Sequence, residues 1–120
     1  MGKEKGNVIK DKTFSFAVKI VDLYKILLEG KKEYVMSRQI LKSGTSIGAN
    51  VREALNAESS NDFVHKLGIA QKEADETLYW LELLFKSGYI NGSALEEYKN
   101  DCDEILKVIK SIIISMKRKL

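Results

Sequence analysis

No proline interrupts the 120 residues, and apolar side chains recur every three or four positions along most of them. An interior proline removes a backbone donor and clashes with the preceding turn. A period near 3.6 gathers apolar groups on one helical face, whereas strands need a period of two. The chain is therefore expected to be all-α. At this length it is one domain. The connections are short, so consecutive helices lie antiparallel, giving an up-down-up-down four-helix bundle. The polar residues 1–10 read as a mobile segment, and residues 11–120 as the bundle domain. Asp11 is the expected N-cap of the first helix and Gly30 its terminal glycine. The second helix is expected over about 34–56. The third starts at a Ser59 or Ser60 cap and runs to Gly88. The fourth starts at a Ser93–Glu96 capping box and continues to about Lys117.

Within each helix the spacing selects a core face. Phe14, Ala17, Val18, Val21, Tyr24 and Leu28 share one side of helix 1. Phe63, Leu67, Ala70, Ala74, Leu78, Leu81 and Phe85 do so on helix 3, and Leu95, Tyr98, Cys102, Ile105, Leu106, Ile109, Ile112, Ile113 and Met116 on helix 4. Two helices carry more apolar surface than one core uses. Phe16, Ile20, Leu23 and Leu27 form a second seam on helix 1, and Ile69, Tyr79, Trp80 and Leu83 lie off the main stripe of helix 3. Exposed apolar patches mark interaction sites, so these eight residues are the expected interface of a homo-oligomer.

Helix 2 is divided differently. Its apolar arc of Ile40, Leu41, Gly44, Ile47, Gly48, Val51, Ala54 and Leu55 contains two glycines, which implies close approach of a neighbouring helix. A polar stripe follows, Gln39, Ser43, Ser46, Asn50 and Glu53, and then a more basic one with Arg38, Lys42 and Arg52. The stretches 1–52, 53–104 and 105–120 carry net charges of +6, −8 and +5 within a total of +3. Arg38, Lys42 and Arg52, with Lys110, Lys117, Arg118 and Lys119, are the candidate phosphate-binding residues. In a monomer, ordinary solubility and complementarity to the helix dipole are the better account of the same basic residues. Repetition in an oligomer changes that balance through avidity.

Other chemistries lack their residues. The single histidine, His65, has no Glu-x-x-His partner, so a di-iron centre and any other metal or cofactor are not expected. Cys102 sits on an apolar stripe, where a buried inert thiol is the default. The polar stripe of helix 2 is the one candidate for an enzyme site, and hydrogen bonds within the bundle or a subunit interface explain it better. One cysteine, no apolar run of membrane-spanning length and no leader pattern point to a cytoplasmic chain that does not engage a membrane.

The run from Arg38 to Ala54, RQILKSGTSIGANVREA, resembles the signature helix of the 23S rRNA intervening-sequence family, also labelled S23 ribosomal protein. The resemblance continues through DFVHKLGIA (62–70), KEADET (72–77) and YWLELL (79–84), and spans Phe14 to Lys117. Where the commoner family form has Ala-Glu-Gly, this chain has Arg52-Glu53-Ala54. The resemblance implies an antiparallel four-helix bundle assembled as a homopentamer, without catalytic residues. A related accessory protein of diversity-generating retroelements forms a positively charged pentamer that binds nucleic acid and a reverse transcriptase. RNA or DNA, a nucleic-acid-processing protein and further copies of the chain are thus the expected partners. The competing expectation is a protein–protein adaptor that binds no nucleic acid.

Overall fold

In the computed structural model of the chain, residues 3–119 are described. Helix α1 (Lys3–Lys25) continues into a π-helical turn (Ile26–Gly30), followed by α2 (Met36–Leu55), α3 (Ser60–Lys86) and α4 (Gly92–Lys119). The helices alternate in direction around one apolar cluster, in an envelope of 47 × 22 × 19 Å. The start of α1, the end of α2, the start of α3 and the end of α4 meet at one end of the bundle, here the basal end.

Helix boundaries follow local hydrogen bonding. The Ser59 hydroxyl accepts from the Asp62 amide at 3.1 Å and caps α3 as expected. At its other end Gly88 adopts φ 84°, with Tyr89 N–H donating to the Leu84 carbonyl and Gly88 N–H to that of Phe85, which is a Schellman closure. Three expected caps are not used. Asn91, rather than Ser93, caps α4, its Oδ1 accepting from the Ala94 amide at 2.8 Å. The first helix starts at Lys3, upstream of Asp11, because Ile9 is buried and extends the inward stripe. The expected mobile segment is therefore helical from Lys3 onward, and residues 1–2 lie outside the described residues. At the far end of α1 the left-handed residue is Lys32 (φ 51°), not Gly30.

The inward face of α1 is Ile9, Thr13, Phe16, Ile20, Leu23 and Leu27, all buried. The two apolar faces expected on this helix thus exchange roles. Phe16, Ile20, Leu23 and Leu27 belong to the core of the single chain and are not available to a partner. Phe14 and Val18 are outside, 55% and 48% exposed. Neither stripe contains a charge; the buried one is bordered by Lys12 and Lys19, which reach acids on α4, and the outer one by Asp11, Asp22 and Lys25. Burying an unpaired carboxylate costs far more than leaving a valine wet.

The glycines of α2 set its distance from α1. A Cβ at Gly44 would lie 2.8 Å from Ile20 Cγ1, and one at Gly48 would lie 3.3 Å from the Thr13 carbonyl oxygen. Ser43, from the polar stripe, is buried and hydrogen-bonds the Thr77 hydroxyl on α3 at 2.9 Å. Ser46 and Asn50 bond within the helix, to the Lys42 and Ser46 carbonyls, and Glu53 pairs across to Lys66 on α3.

Candidate nucleic-acid interface

The seam between α1 and α4 has a regular polar register. Lys5, Lys12 and Lys19 recur every seven residues on α1. Their partners step back by seven along α4: Ser111 for Lys5, Glu104 for Lys12 and Glu97 for Lys19, at 3.0, 3.1 and 2.6 Å. Lys19 also pairs with Asp101, and its carbonyl accepts from the Tyr98 hydroxyl. Burial alone would lower the Lys19 pKa, but the hydrogen bonds and charges of Asp101 and Glu97 outweigh it and leave it raised. Burial also pushes Tyr98 up. Between these contacts runs an open cleft of about 380 Å³ lined by Phe16 and Ile105.

Toward the basal end this neutralisation stops. Where the register would place a third acid, Ser111 meets Lys5, and one step of seven further along α4 stands Arg118. The result is an open groove of about 550 Å³ lined by Lys5, Arg118 and Lys119, the hydroxyl-bearing Ser111 and Ser115, and Ile114. Among the described residues, every charged side chain lining it is a cation. Lys107 and Lys110 lie four residues before Ser111 and Ile114, so they extend the basic strip along the helix. Lysine and arginine beside serine hydroxyls make a donor set suited to phosphate oxygens.

Of the residues singled out in the sequence, Lys110, Lys117, Arg118 and Lys119 are exposed on this end of α4. Arg52, at the end of α2, is basal too, with its guanidinium 5.2 Å from the centre of the Phe14 ring. Arg38 and Lys42 are exposed but lie higher on α2, and Arg38 is roughly 21 Å from Arg52 along the helix. The seven cations therefore do not form one patch. Lys5 was missed because its segment read as mobile, although its spacing from Lys12 and Lys19 was visible.

The other candidates are also placed. On α3, Ile69, Trp80 and Leu83 are half-buried, while Tyr79 is 58% exposed. The Trp80 indole N–H donates to Glu76 and its ring meets Tyr79 edge-on. A groove of about 410 Å³ between α3 and α4 is lined by Tyr79, Leu83, Phe85 and Leu95 with Glu82, Lys86 and Lys99. Cys102 is buried, bonded to the Ala74 carbonyl at 3.4 Å, and burial pushes its thiol up to about 12. Among the described residues no group of histidine, cysteine and carboxylate side chains is arranged to hold a metal ion, and no helix is long and apolar enough to cross a membrane.

These features define a small antiparallel helical bundle that presents a cationic groove at one end. The model of the 23S rRNA-intervening sequence protein family matches residues 5–111, and the chain belongs to that family. It is also similar to a crystal structure from Bacteroides thetaiotaomicron VPI-5482, described as a protein of unknown function from the S23 ribosomal protein family. The two are 59% identical, with a TM-score of 0.90 over 91% of this chain and 97% of that one. No curated protein matches the chain.

Proposed function

We propose that the protein is a homo-oligomeric scaffold that binds RNA or DNA through repeated cationic surfaces. The observation that carries this reading is the groove of Lys5, Arg118 and Lys119, where the α1–α4 register loses its acid partner. The connection of the family with the 23S rRNA intervening sequence agrees with a polyanionic ligand. Contacts of this type neutralise phosphates with little sequence preference, and each costs affinity as salt rises. Arg52, Lys110 and Lys117 add charge at the same end, while Arg38 and Lys42 extend it along α2.

Self-association uses the outward face of α1. Phe14 and Val18 are exposed there, beside a groove lined by Ala17, Thr45, Gly48, Ala49 and Arg52. A second apolar groove lies between α3 and α4, on the other side of the bundle. Two different faces favour head-to-tail contact, which closes into a ring when the rotation permits, and the family resemblance sets the expected number at five.

Fluorescence anisotropy with labelled RNA and DNA tests the reading. Expected are binding that weakens steeply with salt and a smaller salt slope for the triple variant Lys5→Ala/Arg118→Ala/Lys119→Ala. No binding at low salt, or an affinity indifferent to salt, would overturn it. The adaptor reading draws on the α3–α4 groove and the half-exposed Tyr79. It predicts a protein partner retained after nuclease treatment and lost in Tyr79→Ala.

A further inference from the structure

The connection between α1 and α2, at the end opposite the cationic groove, is tightly bonded yet presents apolar side chains to solvent. Glu33 is buried, and its carboxylate accepts from the Val35 amide at 3.2 Å and the Ser37 amide at 2.7 Å. Its own N–H donates to the Leu27 carbonyl, and the Ser37 hydroxyl returns to the Glu33 carbonyl. Lys32 occupies the left-handed region, φ 51°, which is unfavourable for a residue other than glycine. On this fixed backbone Tyr34 and Val35 are 50% and 70% exposed. Glu33 is turned inward as a cap, so the exposed charges of the connection and its flanks are Lys25, Lys31, Lys32 and Arg38 against Glu29 alone.

We propose that this tip is a stacking site for an unpaired base of single-stranded nucleic acid. The Tyr34 ring is the platform, Val35 covers the sugar edge, and Lys31, Lys32 and Arg38 engage the flanking phosphates. The inference rests on the nucleic-acid reading above and adds that the tip selects single strands. An aromatic face flanked by cations supplies the two contacts that single-strand recognition combines. Base-paired duplex offers the cations the same phosphates but gives the ring nothing to stack on.

Anisotropy on the full chain, with a labelled RNA of about 12 nucleotides in single-stranded and duplex form, separates the cases. Tyr34→Ala is expected to weaken single-strand binding about tenfold and to leave duplex binding unchanged. Tyr34→Phe, which keeps the ring, retains the affinity. Tyr34 is exposed, and an unchanged far-UV spectrum verifies the fold. If Tyr34→Ala binds single strands like wild type while the Lys5/Arg118/Lys119 variant loses binding, the tip proposal is overturned and the groove reading stands. If wild type binds neither RNA nor DNA at low salt, both fall. Sedimentation with phosphatidylserine vesicles that depends on Tyr34, together with RNA binding that does not, would overturn it in favour of a membrane surface.

Discussion

Replacing Gly44 with alanine tests the close packing of α2 on α1. In an isolated helix the change is favourable by about 0.5–1 kcal/mol. Here the added methyl would lie 2.8, 2.9 and 3.1 Å from Ile20 Cγ1, Cγ2 and Cδ1. Two of those atoms sit on the branched Cβ of Ile20, which has one strongly preferred rotamer in a helix and cannot swing aside. Overpacking of this kind costs about 1–3 kcal/mol, so Gly44→Ala is expected to be net destabilising by about 1 kcal/mol. Gly68 on α3 is the control, since a Cβ there meets nothing within 4 Å. Gly68→Ala should stabilise by about 0.5–1 kcal/mol. Thermal unfolding at fixed protein concentration should separate the two, with Tm moving in opposite directions by about 3–5 °C. Ile20→Ala in the Gly44→Ala background removes all three clashing atoms. The pair should then be less damaging than the sum of its members by at least about 0.5 kcal/mol. If Gly44→Ala raises Tm as much as Gly68→Ala does, the two glycines do not set the α1–α2 distance and the reasoning fails.

Leu23→Asp puts a charge in the core and should abolish the fold, seen as loss of helical circular dichroism. Val18→Asp should instead keep the spectrum and lower the mass measured by light scattering. Removing the α2 cap with Glu33→Ala should cost about 1–2 kcal/mol in denaturant unfolding. The Cys102 thiol, pushed up to about 12 in the fold, ionises in the unfolded chain near pH ~8.5. Its contribution is thus fully present below that pH and is lost progressively as pH rises toward 12. Cys102→Ala should flatten the fall in stability between about pH 8.5 and 9.5, below the ordinary midpoints of tyrosine and lysine. An unchanged slope would refute that assignment.

The bundle itself was readable because three helices carry one dominant apolar arc each. The α2 glycines correctly announced a close neighbour. On α1 two apolar stripes of similar length compete, and apolar spacing alone cannot rank them. The distinguishing feature was which charges border each stripe: Lys12 and Lys19, which pair with acids on α4, border Ile9 to Leu27, and Asp11, Asp22 and Lys25 border the Phe14–Val18 stripe. The cap at Asn91 escaped because Ser93–Glu96 offered a stronger local pattern one step later. The cationic groove was half legible. Its α4 residues stood out as a terminal basic run, but Lys5 acquires meaning only when Ser111 appears opposite it. The tip at Tyr34 left little trace, since its distinctive feature is the inward turn of Glu33.

The ion-paired α1–α4 seam joins the two helices farthest apart in sequence, so its closure carries the largest loop entropy in the molecule. Adjacent pairs such as α2 with α3 can form before it. Contacts absent from the folding transition state act on the rate of unfolding and leave the rate of folding nearly unchanged. Added salt should therefore steepen escape from the native state while the refolding limb of a chevron stays in place. The register of Lys12 and Lys19 against Glu104, Asp101 and Glu97 then governs how long the bundle stays shut more than how fast it forms.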